Sequence, residues 1–316
     1  MGDNDDDISL NPDADIKDGD PGSATGEKAP ELSKDEQLLQ GVLECLENVD
    51  LEFDFKVLDV LEDERATPAK IETLKEQLGT LVSTRLFSIA NSVHYGKTRS
   101  GNITKFVDVV KHLGTDTTRT TAIFVALLSL ANTEELRAIF ARNLATSKLA
   151  EIFAAQLGFK GNEKSTAALG GLFIEMGKVF MLIYADKESF HYEEGFIDRY
   201  YAYVGVKVIE KFELPQSLIS IIDHPCFSFI KKDSLELPSV VDMAHAIVNE
   251  SFAKHGKLRI KSPLPDPEGL LYQSTMGSFL KEQFNIMGIG NFMEVIEAEY
   301  TEREQRVIDK GETGAT

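Results

Sequence analysis

Only two cysteines, Cys45 and Cys226, occur in 316 residues, and neither sits in a CxxC or at metal-binding spacing from histidine. That excludes a disulfide framework and a zinc knuckle, and it leaves reduced, unreactive thiols as the expectation. A GxxxxGK[ST] loop is missing, which removes a P-loop ATPase. HExxH is missing as well, and so is the GxSxG elbow that would make Ser92 a nucleophile. Basic charge is in short supply: 33 Lys and Arg face 52 Asp and Glu, for a formal charge of −19. Such a chain repels nucleic acid and anionic lipid at long range, so binding to either is not expected. The first residues offer neither a basic n-region nor an apolar h-region, so no secretory signal is read and a cytoplasmic location is expected. The longest apolar stretch, Ala167 to Tyr184, is interrupted by Gly170, Gly171, Glu175, Gly177 and Lys178. It reads as a buried helix rather than a membrane span.

What the sequence does contain is helix after helix. Residues 1 to 36 carry twelve Asp or Glu against three Lys and almost no apolar side chain. Such a leader cannot bury enough surface to offset its ordering entropy, so residues 1–33 are expected to be disordered. Ser33-Lys34-Asp35-Glu36 then reads as a helix cap, with Leu38, Leu39, Val42, Leu43 and Leu46 at helical spacing behind it. A short helix is expected over Val57 to Leu61. A longer one should run from Thr67-Pro68 through Leu74, Leu78, Leu81, Leu86 and Ile89. Ile103 to Leu113 fits a helix stopped by Gly114, and further helices run through Ile123 to Leu130 and through Leu136 to Leu157. Pro215 and Pro238 each stand just inside a new helix. The last helices pass through Leu270, Leu271, Met276 and Leu280, then Phe292, Val295 and Ile296. No strand-like alternation with hairpin turns and no fixed-period repeat is read. The expected fold is all-α, a multi-helix bundle over residues 34–255. Residues 256–302 are expected as a helical extension on the same bundle and 303–316 as a flexible tail. The basic cluster Lys254, Lys257, Arg259 and Lys261 is expected in a solvated loop.

Several of these pieces together resemble a known family. Asn91-Ser92-Val93-His94-Tyr95-Gly96 looks like an "NSA-x-YG" signature. It is followed by Ile103 and the Leu113-Gly114 helix stop, then Gly171 and Gly177, the Tyr201 to Gly205 segment, Leu214-Pro215, and Ile221 to His224. In this order and spacing, over roughly residues 50 to 255, they resemble the HDOD domain. That family is similar in its helical fold to the HD-superfamily phosphohydrolases, and it is regarded as a bacterial signalling output module.

The resemblance also shows what has been replaced. Gly171 to Lys178 keeps the glycines and apolar frame of a "GLLHDIGK"-like helix, but Ile174 occupies the histidine position and Glu175 the aspartate position. Asn143 stands where a first metal ligand would lie. Tyr201 replaces the histidine of a "DHA-x-VG"-like segment, which leaves His224 as the one matching imidazole. A metal hydrolase needs several imidazoles and carboxylates converging on its ions. The resemblance therefore implies a degenerate site, with no metal, no cofactor and no catalytic residue.

The individual side chains have ordinary structural uses. Glu175 and Lys178 are spaced to pair across a helical turn. Asn91 and Ser92 suit a helix end, and Tyr200, Tyr201 and Tyr203 suit packing. His94, His112, His191, His245 and His255 share no spacing, and none is assigned a role. The first expectation is a non-catalytic signal-transduction module that binds a partner signalling protein. A divergent hydrolase of a nucleotide or cyclic dinucleotide, using Glu175 and His224, is the second. A sensor holding a nucleotide against Tyr201 and Lys178 is the third.

Overall fold

The computed structural model describes residues 32–49, 51, 53–63, 65–92, 102–223, 236–262 and 272–297. The leader before Leu32, the tail after residue 297, and Tyr95, Gly96 and His224 of the signature lie outside them.

Helix α1 (Lys34–Glu47) begins with a reciprocal capping box: Glu36 N–H donates to Ser33 Oγ, and Ser33 N–H donates to the Glu36 carboxylate at 2.7 Å. It buries Val42, Cys45 and Leu46 against the rest of the protein. A 3₁₀ turn (Phe55–Leu61) leads to α2 (Pro68–Gln77) and α3 (Gly79–Ala90). One continuous helix was expected here. Gly79 instead adopts φ +74°, which a right-handed helix cannot propagate, and the chain restarts. Helix α4 (Phe106–Leu113) has no side-chain cap of its own. Glu72 of α2 supplies it, accepting from the amides of Phe106 and Val107 at 3.1 and 3.0 Å. At φ +85°, Gly114 turns α4 directly into α5 (Thr115–Leu128), the helix stop expected from the sequence.

The centre of the bundle is α6 (Glu134–Gln156), which lies along α7 (Asn162–Phe173) and α11 (Leu237–His255). Helices α8 (Met176–Glu188) and α9 (Phe196–Lys211) pack on each other, with α1 across both. Between α9 and α11 come a 3₁₀ turn (Gln216–Leu218) and the short α10 (Ile219–Ile222). Pro215 caps that turn rather than standing inside it, whereas Pro238 lies in the first turn of α11 as expected. Leu113 and Leu214 are core residues. Among the described residues, one helical stretch, 162–188, is long and apolar enough to cross a membrane, and 78% of its most apolar window is buried inside the bundle.

The C-terminal part departs from the all-helical expectation. Residues β1 (Leu258–Ser262) and β2 (Met293–Glu297) pair in parallel, Leu258 with Met293 and Ile260 with Val295, on either side of α12 (Tyr272–Ile286). The expected helix through Phe292, Val295 and Ile296 is thus a 3₁₀ turn (Gly290–Phe292) followed by a strand. The basic cluster is not a solvated loop either. Lys254 ends α11, and Lys257 and Arg259 grip Glu294 of the facing strand at 3.3 and 3.1 Å. A parallel pair has no hairpin turn to announce it, and its partner strand lies far along the chain.

Close helix packing fixes the centre. A Cβ added to Gly171 would come within 2.5 Å of the Ser147 amide on α6, and one on Gly177 would collide with the Tyr201 carbonyl on α9. Overpacking such a contact costs about 1–3 kcal/mol. Gly177→Ala should lower the urea midpoint accordingly, and an unchanged midpoint would contradict the packing described here.

Candidate functional site

The break between α7 and α8 falls at Ile174 and Glu175. Ile174, which the resemblance set at a histidine position, is buried in the apolar core and contributes packing. Glu175 turns into the interior and is 1% exposed. Gly171 and Gly177, on either side, let α6 and α9 approach closely enough to enclose it.

Three basic side chains close on this carboxylate. Arg142 of α6 donates from Nε to Oε2 at 2.8 Å. Lys178, one turn into α8, places Nζ 3.2 Å from Oε1, and the Nε2 of His245 on α11 lies 3.7 Å from the same oxygen. The expected Glu175–Lys178 pair is therefore present, although Glu175 caps its helix rather than lying within one. Lys178 also stands 3.6 Å from Asp198 and over the ring of Tyr201, 4.6 Å from its centroid. Burial alone would push the Glu175 carboxyl up. The approach of His245 and the hydrogen-bonded charge of Arg142 outweigh it and hold the group well below the usual carboxylate range.

Sequence analysis missed Arg142 and His245. Arg142 is the neighbour of Asn143, the residue singled out instead, which is fully buried on α6 with its amide unpaired among the described residues. Thr146 and Ser147, one turn on, are buried in the same way. A usable signal existed for His245. It lies among the buried positions Val241, Ala244 and Val248 of α11, and an imidazole on an apolar stripe needs a polar partner inside. Asn249 is hydrogen-bonded to its Nε2 at 3.0 Å. The signature residue Asn91 is structural: its amide bonds the carbonyls of Phe87 and Ile103 and accepts from the Ile103 amide at 2.8 Å, clasping the end of α3 to the approach to α4. Ser92 is buried, and its hydroxyl has no hydrogen-bond partner among the described residues.

This donor set does not suit a divalent cation. No group of three or more His, Cys, Asp or Glu converges among the described residues. A cation placed on Glu175 would also face a guanidinium and an ammonium already in contact with both carboxylate oxygens. Outside the cluster lies a groove of about 810 Å³ between α6, α8 and the 189–195 turn. Its lining includes Arg142, Lys178, Leu136, Ile139 and Leu182, with Glu135, Asp186, Glu193, Glu194 and Asp198 around it. The turn is fixed by a ladder of rings, Phe190 to Tyr192 at 4.9 Å and Tyr192 stacked on Phe196 at 4.8 Å, and Tyr192 donates to the Met181 carbonyl.

A family profile described as the HDOD domain matches residues 52–225. Among solved structures, the chain is similar to a protein of Shewanella amazonensis SB2B named for a proposed metal-dependent phosphohydrolase activity. That match has 17% identity and a TM-score of 0.50 and covers 82% of this chain and 99% of the other. It is also similar to an HDOD domain protein with unknown function from Geobacter sulfurreducens, at 16% identity and a TM-score of 0.47, covering 88% and 95%. At these identities the likeness extends to the fold alone. No curated protein matches the sequence significantly.

Removing Glu175 would leave Arg142 half-buried without its counter-charge, and breaking one side of a buried pair costs about 3–5 kcal/mol. Glu175→Ala should show this loss in urea unfolding at pH 7. A carboxyl held low in the folded state contributes stability that is complete above its unfolded value of about 4.3 and is lost as pH falls through the folded value. The gap between wild type and Glu175→Gln should therefore be constant above about pH 5 and shrink below about pH 4. A gap independent of pH from 5 to 3 would contradict the assigned charge state.

Proposed function

The chain belongs to the HDOD domain family, and on that premise we propose that it is a non-catalytic signal-transduction module that acts by binding a partner protein in the cytoplasm. The observation that carries this reading is the closed charge of Glu175. Metal-assisted hydrolysis uses ions to lower the pKa of water and to neutralise phosphate charge, and those ions need open carboxylate and imidazole donors. Here the carboxylate is already held by Arg142, Lys178 and His245. The histidine position is an isoleucine packed in the core. Gly171 and Gly177 bring α7 against α6 and α8 against α9, a close frame that lacks the metal ligands.

The groove beside the cluster is the face we assign to the partner. Its apolar lining, from Leu136, Ile139 and Leu182, is bordered by five carboxylates, a pattern complementary to an amphipathic helix bearing lysine or arginine. The same carboxylates disfavour a nucleotide phosphate there, and the Tyr201 face on which a base would stack is covered by the Lys178 ammonium. Nucleic acid and anionic lipid are disfavoured by the net charge of −19.

Two measurements test this. Protein purified without chelator should hold metal far below stoichiometric amounts, and turnover of a generic phosphodiester with added manganese should not exceed that of Glu175→Ala. Stoichiometric metal and activity, both lost in Glu175→Ala, would overturn the reading. For the groove, a photo-reactive residue at Leu182 should cross-link a partner in the native host. Asp186→Lys with Glu194→Lys should abolish that cross-link while leaving the circular dichroism spectrum intact. Undiminished cross-linking would rule out this face.

A further inference from the structure

A second, smaller pocket of about 270 Å³ lies on the other side of α6, where α3, the turn between α5 and α6, and the end of α12 meet. Its charged lining is of one kind. Arg85 and Arg137 both face it, and no Asp or Glu does. In a chain with 52 acidic residues against 33 basic ones, this is a local reversal of the overall field. Among the described residues, neither guanidinium has a carboxylate partner. Arg85 donates from Nη1 to the carbonyl of Ile286, and Arg137 donates from Nε to the carbonyl of Ala131 at 3.3 Å. The second terminal nitrogen of Arg85 and both terminal nitrogens of Arg137 remain as donors.

The remaining lining limits what could fill the space. Ser129 donates its hydroxyl to the Ala126 carbonyl, and the amides of Met287, Gly288 and Ile289 bond Gln283, Asn285 and Phe284. The guanidiniums are thus the principal donors, and the walls around them, including Leu128 and Val125, are apolar. Two guanidiniums lining one recess match the charge and the acceptor oxygens of a doubly charged oxyanion. The volume, about 270 Å³, falls just under the range of about 300–1,000 Å³ typical of drug-sized ligands, which favours a small anion.

We propose that Arg85 and Arg137 form a binding site for a small phosphoryl anion, either inorganic phosphate or the phosphate of a small monoester. The proposal is independent of the function proposed above, because no residue of the Glu175 cluster takes part. Residues 287–289 lie beyond the family match, so the site exists only where the C-terminal extension is seated on α3 and α5. Occupancy would then strengthen that seating, since an anion bound to the assembled pocket favours the assembled form.

The test is isothermal titration calorimetry on the full chain with inorganic phosphate and, separately, glycerol 3-phosphate, at constant ionic strength set with chloride. Saturable heat and a raised melting temperature are expected with at least one of them. Equal affinity identifies free phosphate as sufficient, and tighter binding of glycerol 3-phosphate identifies a monoester. Arg137→Met, at an exposed position, should weaken binding by about tenfold or more, since it removes charged hydrogen-bond donors to the anion. Arg137→Lys should recover part of it. Arg85→Met should also lose binding, but its bond to the Ile286 carbonyl makes Arg137 the deciding position. Absence of saturation with both ligands, or Arg137→Met binding as tightly as wild type, would overturn the proposal.

Discussion

A carboxylate with almost no access to water must be neutralised where it stands, and in this protein the neutralising charges are covalently part of the chain. Arg142 and Lys178 bring that charge from α6 and α8, and His245 approaches from α11, so the requirement imposed by Glu175 ties three helices at one point. Where bound metal ions neutralise a carboxylate, they can exchange, move and polarise. Side chains fixed on helices can only hold. The positive charge at this point is thus part of the scaffold, and the glycine contacts of α7 with α6 and of α8 with α9 create the interior that holds it.

Much of the fold was legible because local rules decide it. Ser33 and Thr67 cap the helices they were read to cap, and Gly114 stops α4. Most periodic positions of α3, α5 and α6, among them Leu86, Ile89, Ile123, Leu136, Phe140 and Leu144, are core residues, whereas Leu81 and Leu157 are exposed. The misses share a physical origin. Gly79 breaks a helix whose apolar spacing continues across it, because periodicity records which face is buried and is silent about backbone φ. The β1–β2 pair was missed because parallel pairing is a long-range choice made without a turn, and because Leu258, Arg259, Ile260 and Lys261 are too few to establish an alternation.

The site was half legible. Glu175, Lys178 and Ile174 could be placed through the surviving glycine frame. Arg142 was invisible beside Asn143, because a helix turns about 100° per residue and the resemblance directs attention to Asn143 instead. His245 was passed over because a lone histidine is usually unremarkable; only the burial of α11 makes its partner obligatory. Frame residues that govern backbone approach leave a spacing in the sequence, whereas residues that meet across three helices do not.

The parallel strands have a consequence for how the chain is made. β1 leaves α11 and must wait for Met293 to Glu297 before its hydrogen-bonding groups are satisfied, with α12 synthesised in between. During translation, the bundle can close around Glu175 while the edge of β1 is still open. A ribosome pausing in that interval would expose an unpaired strand next to a finished core, the point at which this chain is most vulnerable to mispairing with a second copy.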